Sequence, residues 1–201
     1  MPLRHVVVLA LATGLLAPAA AYACACCADD GHWSERSAPL SGIERDELAR
    51  VRLRPAARTF VSPAGLEGVL GIAPPSLTYA VSATTSRLRW SLRLRDARGR
   101  VGTLVLALPR TATLLTADVR DGRRAGAGGP LLYKEWRLAG RVTGTGIFTA
   151  GLTGEPRFRL ILQGRGVLCT AAENFAHWTL QVTGPRSHFS LFGSLRPPAP
   201  A

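Results

Sequence analysis

From Arg87 to Arg95 every second residue is apolar: Leu88, Trp90, Leu92 and Leu94 alternate with Arg87, Arg89, Ser91, Arg93 and Arg95. A period of two sends neighbouring side chains to opposite faces of a strand, whereas a helix would wind the arginines through the apolar set. The stretch therefore specifies a strand with one apolar and one cationic face. Leu77, Tyr79, Val81 and Ala83 alternate in the same way with Ser76, Thr78, Ala80 and Ser82. Asp96-Ala97-Arg98-Gly99-Arg100 has the chemistry of a hairpin turn, after which Val101 to Leu108 returns as a more continuously apolar strand ended by Pro109.

The second half of the chain repeats the pattern. Leu114 to Val119 is a weaker strand candidate, and Asp121 to Pro130, rich in glycine among charges, predicts a mobile loop. Trp136, Leu138 and Val142 then alternate with polar neighbours, with Gly140 placed for a bulge or bend. Glycines punctuate a turn region around Ile147-Phe148, and three more strands follow. Phe158, Leu160 and Leu162 mark the first, Trp178, Leu180 and Val182 the second, Phe189, Leu191 and Leu195 the third. About eight to nine short strands and no long helix predict an all-β fold, an antiparallel β-sandwich or β-barrel over residues 65–196. No fixed-length period marks a solenoid or propeller.

Ahead of this body, residues 24–64 predict an irregular, cysteine-containing arm punctuated by Pro39, Pro55 and Pro63. Ser41 and Glu44 have the spacing of a capping box that starts a short helix through Leu48. Ala49, Val51 and Leu53, alternating with Arg50, Arg52 and Arg54, predict a strand after it. Gly31-His32-Trp33 resembles the Gly-x-Trp of the first lipocalin strand, but the polar run Ser34 to Pro39 is not the apolar strand of that family. Trp33 is expected instead to pack the arm onto the body. Residues 197–201 predict a disordered, proline-rich tail.

Residues 1–23 have the form of a secretory signal peptide. Arg4 and His5 give a basic start, Val6 to Leu16 an apolar run, and Ala21-Tyr22-Ala23 small residues around a cleavage point lying between Ala21 and Ala25. The apolar run is shorter than the ~20 residues of a spanning helix, so no transmembrane segment is expected after cleavage. Lipoprotein anchoring at Cys24 is the lesser alternative, because Tyr22 stands where a lipoprotein box has a small residue. A secreted or periplasmic address follows.

The formal net charge of +12 comes almost wholly from arginine, Lys134 being the only lysine among 25 basic residues. The arginines sit at alternate positions and not in one block, and export argues against a nucleic-acid partner. A cationic strand face with loose affinity for an anionic envelope surface is the expectation.

Chemistry concentrates in Cys24-Ala25-Cys26-Cys27, with a distant partner at Cys169. In an oxidising compartment such thiols form disulfides first. Adjacent cysteines bridge each other poorly, so the expected staple joins the leading cluster to Cys169. Closing so long a loop stabilises by roughly 4 to 5 kcal/mol on a chain-entropy account. The alternative is a copper or zinc site using the thiolates of Cys24, Cys26 and Cys27, with His32 adding a nitrogen. Against it, no second paired motif exists, and Met1 is the only methionine.

Catalytic signatures are missing. There is no Gly-x-Ser-x-Gly, no His-Glu-x-x-His, no phosphate loop and no dinucleotide fingerprint. Cys169, Glu173, Asn174 and His177 form the one local cluster with the residue types of a thiol hydrolase, while Asp96, Asp118 and Asp121 look like turn acids. The sequence thus predicts an exported, non-catalytic all-β module that binds an unspecified ligand or associates with the envelope, without a cofactor unless the thiols hold metal.

Overall fold

The structure, a computed structural model, describes residues 33–120, 124–125, 129–166 and 171–196. The strands are β1 (Trp33–Pro39), β2 (Arg52–Thr59), β3 (Thr78–Thr85), β4 (Arg89–Arg95), β5 (Val101–Ala107) and β6 (Thr111–Ala117). They continue as β7 (Arg124–Ala125), β8 (Gly129–Pro130), β9 (Leu132–Gly146), β10 (Arg157–Gly166), β11 (Phe175–Gly184) and β12 (Ser187–Arg196). One α-helix, α1 (Gly42–Arg50), separates β1 from β2. Among the described residues no helix is long and apolar enough to cross a membrane.

Eight strands close into an antiparallel barrel in the order β9, β10, β11, β12, β2, β3, β4, β5 and back to β9, while β6 and β1 extend outward from β9. The all-β expectation holds, and closure decides for the barrel. The long strand β9 makes closure compatible with the two extra strands. Its first half pairs with β6, from Tyr133 opposite Ala117 to Arg137 opposite Thr113, and its second half pairs with β5, from Val142 opposite Leu106 to Gly146 opposite Gly102. Pro109, which has no N–H for a ladder, falls where the chain leaves β5 for β6. The switch occurs at Gly140, where a Cβ would run into the Ala107 carbonyl oxygen and lie 2.8 Å from the Phe158 ring. Gly140 is therefore a site of close backbone approach.

Alternation gives the barrel a filled interior. Trp90, Leu92 and Leu94 of β4, Leu104 and Leu106 of β5, Trp136 and Leu138 of β9 and their counterparts on β10 to β12 are all buried. Trp136 meets Phe175 edge-on with ring centroids 5.3 Å apart, and Phe148 stacks on Phe189 at 5.8 Å. Each such leucine or phenylalanine contributes about 1.5–3 kcal/mol by leaving water. The outer face of β4 carries Arg89, Ser91, Arg93 and Arg95.

One end of the barrel is closed by α1. Ser41 caps it, accepting from the Glu44 N–H at 3.2 Å while the Glu44 carboxylate accepts from the Ser41 N–H at 2.7 Å, the capping box expected from sequence. Leu48 of the helix is fully buried, and the Thr85 hydroxyl holds the Ala49 carbonyl at 3.0 Å. At the other end Ile147, Phe148, Val69 and Ile72 pack into the core.

Two expectations are revised. The strand Arg52–Thr59, assigned by sequence to the arm, is a barrel stave between β12 and β3. Trp33 does not pack on the body: it opens the outermost strand and is 66% exposed, because among the described residues β1 pairs only with β6 and no second layer covers it. Within Asp121 to Pro130, β7 and β8 pair as a two-stranded ribbon. The leader, Cys24, Cys26, Cys27, His32, Asp121, Cys169 and the tail 197–201 lie outside the described residues.

Candidate functional site

With the interior filled, the space for a ligand lies outside. A groove of about 930 Å³ runs across the outer face of β10, β11, β12 and β2, a size within the range of small-molecule sites. Its shape follows from a register shift. Leu191, Phe192 and Gly193 face Thr59, Arg58 and Ala57, but Leu195 faces Leu53, so β2 carries extra residues around Pro55. Pro55 cannot donate to the ladder, and the strand bulges there.

Four neighbouring strands supply the lining. Thr179 of β11 stands opposite Phe192 of β12, which stands opposite Arg58 of β2; Gln181 stands opposite Ser190, and His177 opposite Ser194. Beyond β2, the Phe60 N–H bonds to the Ser190 carbonyl at 2.9 Å, which keeps its side chain in the same outward row as Arg58. Arg54, Arg58, His177 and His188 give the groove cationic or protonatable groups, and no carboxylate occurs among the described residues lining it. Neither Arg54 nor Arg58 makes an ion pair among the described residues. Below Gly193 lies the indole of Trp178, whose buried Nε1–H has no hydrogen-bond partner among them.

At one border the groove touches a polar network. Gln163, a lining residue, donates to the Tyr133 hydroxyl at 2.8 Å and to Glu135 Oε2 at 3.1 Å. Tyr133 donates to Glu135 Oε2 at 2.5 Å, and Arg137 donates to Oε1. Burial pushes the Tyr133 phenol up to about 12, and the adjoining Glu135 adds to the rise. Burial also raises the Glu135 carboxyl, but the hydrogen bonds from Tyr133, Arg137 and Gln163 outweigh it and hold the group below the usual carboxylate range. The network is a satisfied brace for the groove wall, with its charges already compensated.

Of the local cluster read from sequence, Cys169 lies outside the described residues, and each of the other three side chains has its own place. The Asn174 side chain accepts from the buried Lys134 ammonium at 2.8 Å, and Glu173 lies 3.9 Å from Arg50. His177 is instead on the outer face of β11, in the groove. Asp96 is a turn acid, accepting from the Arg98 and Arg100 N–H groups at 2.9 Å and from the Arg100 guanidinium at 2.6 Å. Asp118 likewise caps its own turn at Arg120. Among the described residues no three of His, Cys, Asp and Glu gather as metal ligands.

Sequence reading placed Arg54, Gln163, Thr179, Gln181 and Phe189 on strands without marking a site. A usable signal was there: the polar face of β4 is arginine, while those of β11 and β12 carry histidine, amide, hydroxyl and Phe192. Comparison with family models, curated proteins and solved structures gives no match for this chain.

Proposed function

We propose that the protein is an exported, non-catalytic binding module of the cell envelope, which takes a small anion with an apolar body on the outside of its barrel. The observation that carries this reading is the groove: aromatic rings of Phe60 and Phe192 line it with two arginines that, among the described residues, have neither an ion pair nor a lining acid to compete for them. Apolar walls with a few convergent polar groups are the usual make-up of a small-molecule site. The buried Trp178 Nε1–H beneath the floor, without a hydrogen-bond partner among the described residues, supports it further. Asn174 is engaged by Lys134 and Glu173 lies beside Arg50, while His177 lines the groove, which favours binding there.

The reading includes a disulfide between the leading cysteines and Cys169. Trp33, Ala117, Tyr133 and Arg165 form one cross-strand row over β1, β6, β9 and β10. Three strand spacings make about 14 Å. Cys27 lies six residues before Trp33, and Cys169 four after Arg165; extended chain covers about 20 Å and about 14 Å in those lengths. β1 thus begins and β10 ends at the same end of the sheet, and chain of those lengths is long enough to span the row, which supports the staple.

Tryptophan fluorescence titrated with laurate, and with dodecanol as its uncharged counterpart, tests the groove. Saturable laurate binding, weakened about tenfold or more by Arg54→Ala with Arg58→Ala, is expected. Equal response to both probes, or no response to laurate, rejects the reading.

A further inference from the structure

The barrel rim next to the groove carries exposed apolar side chains that the core does not use. Phe60, Leu70 and Leu77 are 67%, 56% and 53% exposed. They gather because β2 ends at Thr59, whose N–H bonds to the Leu77 carbonyl at 2.9 Å, and because Leu70 continues the same edge of β12. Leu70 exchanges both backbone hydrogen bonds with His188, two residues along from the Ser190 that holds Phe60. Single exposed leucines are ordinary; three on one rim are a patch.

Around the patch the charge is mainly positive. Arg58, Arg98, Arg157 and Arg186 are exposed on that end of the barrel and make no ion pairs among the described residues. Asp96 binds Arg100 at 2.6 Å and the exposed Glu155 binds Arg141 at 3.6 Å, which leaves Glu67 as an exposed acid with no ion pair among the described residues. Apolar tips ringed by arginine match a bilayer surface, where the tips enter the headgroup boundary and the guanidinium groups meet phosphate. A soluble polyanion would use the arginines and leave Phe60, Leu70 and Leu77 in water.

We infer that this rim docks the protein peripherally on an anionic phospholipid surface, with the groove opening beside the lipid. The inference rests on the envelope association proposed above but does not depend on what the groove holds. The rim lies at the barrel end opposite α1 and the C-terminal end of β10.

Co-sedimentation of the mature chain with vesicles tests it. Phosphatidylcholine vesicles containing phosphatidylglycerol should retain the protein, and phosphatidylcholine alone should not. Leu70→Ser with Leu77→Ser, both outside the groove, should weaken retention about tenfold or more and leave the laurate titration unchanged. Loss of laurate binding in the unmodified protein with vesicle retention intact would sink the groove and keep the rim. No retention by phosphatidylglycerol vesicles overturns the inference. So does retention that the double variant does not alter and that soluble polyphosphate abolishes, since that marks a polyanion site.

Discussion

Gly193 and Trp178 face each other across β12 and β11, and the glycine has no side chain because the indole occupies its place: a Cβ at Gly193 would lie 2.8 Å from Trp178 Nε1. The same Cβ would sit 2.7 Å from the Ala56 carbonyl oxygen, inside the bulge that shapes the groove. Ordered packing and an open groove depend on one missing methyl group.

Substitution of this glycine should therefore cost stability through overpacking. Gly193→Val is expected to destabilise by about 1–3 kcal/mol, read as a lower urea midpoint. It should also blunt the laurate response, because the bulge must shift. A variant as stable as the parent, with the same response, would contradict the packing described.

The helix cap offers an independent test. Ser41→Ala removes the hydroxyl that accepts from Glu44 N–H and should lower stability by about 1 kcal/mol. Thermal unfolding of the two proteins side by side measures it. Ser41 does not line the groove, so laurate affinity should not move.

At high pH two phenols raised by burial count, Tyr79 and Tyr133, and Tyr133 is the one the groove network holds. Its value in the fold is about 12 against an ordinary 10.0, so the folded state holds the proton more tightly. The stability this contributes is complete below pH 10 and is lost as pH rises toward 12. Tyr133→Phe should flatten that alkaline decline in urea midpoints measured across the range. In acid the sign reverses: Glu135, held low by its hydrogen bonds, contributes stability that is present above the usual carboxylate range and lost as pH falls through its depressed value.

The staple is checked by mass. The purified mature chain should weigh two or four hydrogens less before reduction than after it, with no bound metal, and Cys169→Ser should remove the bridge that closes the long loop. Free thiols carrying copper or zinc would reverse the assignment to the metal alternative.

Much of the fold was legible because its determinants are local. The alternation at Leu88 to Arg95 states a strand and its buried face; Asp96 and Gly99 state the turn after it; Ser41 and Glu44 state the start of α1. Trp33 was misread because its burial depends on whether a second layer covers β1, which no neighbouring residue reveals. The groove was missed for a related reason. Arg54 and Arg58 are separated from Gln163, His177 and Phe192 by more than a hundred residues, and only pairing through β12 makes them neighbours.

The sequence by itself determined the secretory-type leader pattern, the strands, their two faces and the cap on α1, since each is written in the period and type of adjacent residues. The tertiary structure alone decided that β9 serves two partners, that the sheet closes on itself around a filled core, and that the open space lies outside. Those outcomes are settled by hydrogen-bond register between distant strands and by volume at Gly140 and Gly193, quantities that exist only once the chain has met itself.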